Sequence, residues 1–119
     1  MTSEDDNAGS GDRSEEWPST DVLFSLLADR LTREVLSYLE TQSATAVEFD
    51  DIVDGVVEQE VEAGFTSDPD ERRDQIAIML HHKQLPRLDD VAIVDYDPRT
   101  RTVRYWGDER LEAYLAQFD

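Results

Sequence analysis

Apolar residues recur along this chain at two periods, and the switch between them marks its architecture. Behind Ser19-Thr20-Asp21, any of which suits a helix N-cap, Val22, Leu23, Leu26 and Leu27 form a stripe at helical spacing. Leu31, Val35, Leu36 and Leu39 form a second stripe. One continuous helix would carry both, but Asp29 interrupts the pattern, and two helices with a joint near Ala28-Asp29-Arg30 are predicted. Phe49, Ile52, Val53, Val56 and Val57 predict a third amphipathic helix, with Gly55 inside it. Residues 61–67 read as a loop or a frayed extension of that helix. Asp68, Pro69 and Glu71 then fit the N-cap, first and third positions of a capping box. The fourth helix they start should turn Ile76, Met79, Leu80 and the stem of Lys83 inward, and Pro86 should end or break it near Leu85.

Beyond that point the period shortens to two. Val91 and Ile93, then Val103 and Tyr105, alternate within β-rich runs around the turn residues Asp97-Pro98-Arg99-Thr100. A hairpin pairing residues 91–96 with 101–106 is predicted, with those four side chains toward the helices and Arg104 toward solvent. Leu111, Tyr114, Leu115 and Phe118 return to helical spacing behind a cap near Asp108. The fold class is therefore mainly α with a small β-hairpin. Residues 1–17 carry almost no apolar side chains and are expected to be a disordered acidic tail. Residues 18–119 are expected to form one domain.

Charge sharpens this picture. The 119 residues hold 29 acids against 11 lysines and arginines, a formal net charge of −18, and Lys83 is the one lysine. A lysine-poor acidic surface resembles proteins of halophilic archaea. The alternative readings of such acidity are an interaction protein or a disordered activator, with a scaffold or DNA mimic as a third role, although the apolar periodicity of residues 20–118 argues against disorder there. Residues 72–104 break the trend, with 7 basic side chains against 5 acidic ones. There is no cysteine, hence no disulfide or thiolate chemistry. The start of the chain lacks a basic, apolar leader, and no apolar run is long enough to span a bilayer, so a cytoplasmic protein is expected.

Two stretches carry a family resemblance. "LLADRLTREVLSYL" resembles the opening of ArsR-like transcriptional regulators, with Ala28, Asp29, Thr32 and Arg33 at the small-Asp corner and Thr-Arg pair, and one extra residue between Asp29 and Thr32. "RRDQIAIMLHHKQLPRLDDVAIVDYDPRTRTVRY" resembles the recognition helix and wing of a winged-helix family of halophilic archaea, with His82, Leu85, Pro86 and Leu88 at its His-x-x-Leu-Pro-x-Leu passage. The resemblance covers about residues 20–107. It implies a winged helix-turn-helix domain with an extra C-terminal helix. One departure is that residues 59–67 separate the third and fourth helices, where a compact helix-turn-helix uses a turn of about three or four residues.

In a winged helix the recognition helix reads base edges and the wing reaches the neighbouring backbone. The resemblance thus points to Arg72, Arg73, His82, Lys83 and Arg87 as DNA contacts on the helix and the turn after it, and to Arg99, Arg101 and Arg104 on the wing. Double-stranded DNA is the expected partner, and a small transcriptional regulator the expected function. The alternative is a winged-helix module for protein contact that does not bind DNA. The apolar face of the closing helix suits a homodimer, or else packs on the first helix and covers Trp106. His81-His82 lacks the third ligand a zinc site needs, no phosphate-binding glycine loop occurs, and the Asp50-Asp51 and Asp89-Asp90 pairs lack a nucleophile beside them. Neither an enzyme nor a cofactor or metal is expected.

Overall fold

The computed structural model describes residues 18–118; the expected acidic tail, residues 1–17, lies outside them. The predicted joint between the first two helices is present. Helix α1 (Thr20–Leu27) is capped by Ser19, whose hydroxyl accepts from the Val22 amide at 3.3 Å. Helix α2 (Arg30–Glu40) starts after Asp29, which adopts an extended backbone. The Asp29 carboxylate accepts from the Thr32 hydroxyl at 2.9 Å, and Arg33 caps the Leu27 carbonyl at 2.7 Å. The four residues of the small-Asp corner and Thr-Arg pair therefore build the corner between two helices.

A short strand that the periodicity does not announce, β1 (Ala46–Glu48), leads into helix α3 (Phe49–Glu62). Helix α3 buries its predicted stripe and extends it by one turn to Glu60. It ends in a Schellman turn at Gly64, with the Phe65 amide donating to the Glu60 carbonyl at 2.8 Å and a left-handed φ of 77° at the glycine. The third helix thus runs on, yet residues 63–68 still separate it from α4. Gly55 has a steric purpose, because a Cβ there would overlap the Tyr38 ring on α2. Gly55→Ala should lower stability by about 1–3 kcal/mol through overpacking, despite alanine's better helix propensity; a urea midpoint at or above wild type would refute this.

Helix α4 (Pro69–Met79) begins at the predicted cap, with Asp68 accepting from the Glu71 amide at 3.2 Å. It does not stop at Pro86. A π turn over Leu80–Gln84 widens the helix, and α5 (Leu85–Asp90) carries the chain past the proline. The Leu85 amide donates back to the Leu80 carbonyl, five residues earlier. The extra residue rotates the inward face. Ile76 and Leu80 are buried as expected and Met79 is half-buried, but Gln84, Leu85 and Leu88 occupy the next inward positions and Lys83 is exposed. The expectation of an inward Lys83 stem fails for this reason.

The turn that ends helix α5 takes the first residues assigned to the hairpin. It ends in a second Schellman turn, with Ala92 at φ 64° and the Ile93 amide on the Leu88 carbonyl at 3.0 Å. The hairpin strands are consequently shorter than predicted, β2 (Val94–Asp97) and β3 (Thr102–Tyr105). Val94 and Tyr96, rather than Val91 and Ile93, are the β2 residues opposite Tyr105 and Val103. Ile93 is still buried, but ahead of the strand. Strand β1 joins the other side of β3, with Val47 opposite Val103, so the hairpin becomes a three-stranded antiparallel sheet ordered β1–β3–β2.

Helix α6 (Glu109–Leu115) starts at Asp108 as predicted, that carboxylate accepting from the Arg110 and Leu111 amides. A 3-10 turn (Ala116–Phe118) follows. Leu111 and Leu115 are buried, whereas Tyr114 packs on Phe24 with ring centroids 4.8 Å apart and Phe118 is exposed. One continuous core runs from α1 through the sheet to α6. Among the described residues no helix is long and apolar enough to cross a membrane.

Candidate nucleic-acid interface

The π turn and the β2–β3 hairpin are tied together by an aromatic cluster. The His81 Nδ1 lies 2.8 Å from the Tyr96 hydroxyl, which links the π turn to β2. The Tyr96 ring stacks on Phe49, the first residue of α3, at 6.1 Å. The hairpin turn is shaped by Asp97, whose Oδ1 accepts from the Arg99 amide at 3.0 Å and, less closely, from the Thr100 amide. The Arg99 amide and then the Thr100 amide hold the Asp97 carboxyl below the usual range, against some desolvation. Arg101 closes the turn in the left-handed region at φ 59°, uncommon for a residue with a side chain. Its carbonyl accepts from the Phe49 amide at 2.9 Å, so the hairpin is also hydrogen-bonded to the start of α3.

The predicted basic residues divide into three groups. Arg72, Arg73 and Arg101 are engaged by acids of α3. Arg72 meets both oxygens of Glu60 at 2.6 and 3.1 Å, Arg73 reaches Asp54 at 2.6 Å, and Arg101 reaches Asp50 at 2.8 Å while its guanidinium covers the Phe49 ring. Arg87 is half-buried and lines a groove with Val22 and Leu26 of α1. The third group is open to solvent. His82 and Lys83 are exposed on the π turn, Arg104 lies over the Trp106 ring on the outer sheet face, and Arg99 at the hairpin tip is 87% exposed, with Asp97 only a distant 3.8 Å away.

Trp106 is itself 57% exposed, and its indole Nε1 donates to Asp95 at 3.0 Å. The expectation that it packs beneath the closing helix is therefore not met. It follows the last strand on the outer side of the sheet, with Arg104 and Asp95, while Tyr105 takes the inner place and donates to Glu112 of α6 at 2.9 Å. A groove of about 620 Å³ lies elsewhere, between α1 and α6, and is lined by Phe24, Leu27, Arg33, Tyr114 and Phe118. Among the described residues no group of three or more histidine, cysteine or acidic side chains could hold a metal ion.

Tyr96 is not singled out by the sequence, and the part that His81, Phe49 and Asp50 play in holding the hairpin to α3 follows only from contacts between residues distant in the chain. Glu60 did leave a signal, as an acid that continues the i+3, i+4 stripe of α3 and is 1% exposed.

The sequence model of DUF7344, a domain of unknown function, matches residues 24–104. The chain belongs to the DUF7344 family. The DUF7344 match spans α1 to β3, so the candidate interface lies wholly inside the family domain and α6 lies outside it. No curated protein and no solved structure matches the chain.

Proposed function

We propose that this DUF7344 protein is a small winged-helix regulator of the ArsR-like kind that binds double-stranded DNA through α4, its π turn and the β2–β3 wing. The observation that carries the reading is topological. A strand between α2 and α3 pairs with the second strand of a hairpin that directly follows the long helix, in the order β1–β3–β2. That arrangement sets a helix and a β-loop side by side, the pairing with which a winged helix meets groove and backbone. Lys83, His82, Arg99 and Arg104 are exposed basic side chains on these two elements that make no ion pair with α3. With so few free cations, affinity must come largely from contacts other than phosphate neutralisation, which suits a protein working in concentrated salt.

Arg99→Ala and Lys83→Ala should each weaken DNA binding for all sequences and flatten the slope of log affinity against log salt by about one. Fluorescence anisotropy with genomic fragments over a KCl series measures this, and unchanged slopes in both variants would refute the assignment. The reading includes a cytoplasmic site of action and a homodimer formed through the Phe24–Tyr114–Phe118 groove beside α6. Light scattering in molar KCl checks the dimer, and a monomer at working concentration would exclude it.

A second reading has its own support. The ion pairs from Arg72, Arg73 and Arg101 to α3 neutralise part of the basic stretch, and α3 carries Asp51 and Glu58 on its exposed face as well. A module for protein contact, with α3 as its acidic interface, would fit those pairs. It requires that wild type binds no genomic fragment at any salt concentration.

A further inference from the structure

Charged side chains from three helices meet where α2, α3 and α4 join. Glu34 of α2 and Glu60 of α3 are both buried. Arg72 of α4 grips Glu60 with two hydrogen bonds, and Arg30 of α2 lies 3.7 Å from Glu34 and 3.9 Å from Glu60, its guanidinium over the Phe65 ring. The amide of Gln59 donates to the backbone carbonyl of Glu34 at 2.8 Å. Arg33, Ser37, Leu115 and Phe118 complete the walls on the open side. Two acids face two principal bases, but the donors are unevenly shared. Arg72 gives two hydrogen bonds to Glu60 and a third to Gln75, and Glu34 Oε1 is buried with no donor.

An ionised Glu34 would have an oxygen without a hydrogen bond beside a like charge, a costly arrangement in a buried site. A proton on Glu34 removes both difficulties, because the acid O–H can donate to Glu60. Burial, the hydrogen bond with Glu60 and the Glu60 charge push the Glu34 carboxyl up to about 8. Burial also acts against the Glu60 charge, but the Arg72 hydrogen bonds and those of Glu34 outweigh it and hold Glu60 below the usual range.

We propose that the Glu34–Glu60 pair is a proton-operated latch: with its proton it fastens α4 to α2 and α3 through Arg72, and losing the proton releases the start of α4. Deprotonation leaves two buried like charges competing for Arg72 and Arg30. The first turns of α4 then keep only the exposed Arg73–Asp54 pair in place of the buried Arg72 tie, while the π turn stays anchored by the Gln84–Asp29 bond. A consequence for DNA affinity would rest on the function proposed above; the latch itself does not.

The pH direction is set by the sign of the shift. A carboxyl raised on folding contributes stability that is complete below the ordinary glutamate range and is lost as pH rises to about 8. Glu60, Asp29 and Asp108 are lowered, so their contributions are lost on the acid side instead. Glu34→Gln keeps a donor toward Glu60 and removes the titration.

Thermal melting and amide hydrogen exchange of the full chain in molar KCl, wild type beside Glu34→Gln, provide the test without DNA. Between about pH 5 and pH 8.5 the wild-type midpoint should fall by about 5–10 °C more than that of the variant. Exchange in residues 69–75, corrected for its intrinsic pH dependence, should accelerate in wild type by about tenfold and stay level in the variant. Parallel melting curves, or α4 exchange that stays level in wild type, would overturn the latch. Should Glu34→Gln fail to fold, carbon NMR of the wild-type glutamate carboxyls decides: a Glu34 that titrates in the ordinary range contradicts it.

Discussion

Arg72→Ala is expected to destabilise the domain by about 3–5 kcal/mol, the effect of removing one partner from a buried ion pair. Glu60 is 1% exposed and receives two hydrogen bonds from Arg72, so truncation strands a carboxylate that water cannot reach. Arg30, at 3.9 Å, is too distant to replace them. The loss would fall on the joint between α3 and α4, the two helices that position the candidate interface. Arg99→Ala should change stability by less than about 0.5 kcal/mol, because the side chain is solvated. The contrast separates a structural arginine from one free to contact a ligand. Urea unfolding of both variants measures it, and equal midpoints would show that the Arg72–Glu60 pair holds nothing together.

The second large effect concerns salt. A formal charge of −18 on 119 residues means that carboxylates repel one another across most of the surface. The Debye length falls from about 30 Å in dilute buffer to about 3 Å in molar salt, which confines that repulsion to near neighbours. The melting midpoint should therefore rise by about 10 °C or more on going from dilute buffer to molar KCl. The surface ion pairs Arg73–Asp54 and Arg101–Asp50 weaken over the same range, but exposed pairs contribute little. A midpoint that stays level or falls would contradict adaptation to concentrated salt.

The helical part of the fold was legible because amphipathic stripes and caps are local signals. Ser19, Asp68 and Asp108 mark helix starts that the structure reproduces. What was not legible depends on contacts distant in sequence. Strand β1 has three residues and owes its existence to pairing with β3, more than fifty positions away. The π turn has no signature in the periodicity, yet it shifts the inward face from Lys83 to Gln84, and the turn that caps α5 at Val91 moves the strand phase from Val91 and Ile93 to Val94 and Tyr96. At the candidate interface the cluster of basic residues could be read directly. Their partners could not, since the acids that hold Arg72, Arg73 and Arg101 lie on a helix 12 to 51 residues upstream. Sequence counting therefore overstates the charge that α4 and the wing can offer to a ligand.

The central claim is that DNA meets the exposed side of the π turn and the wing tip. Its most direct test is an amide NMR titration of the isotope-labelled full chain with a duplex selected from genomic fragments in molar KCl. Shifts concentrated at residues 81–83 and 97–101, with α6 and the Phe24–Tyr114 groove left unmoved, are the result the account predicts. Saturating DNA that leaves those residues unmoved, or shifts concentrated along α1 and α6, would contradict it.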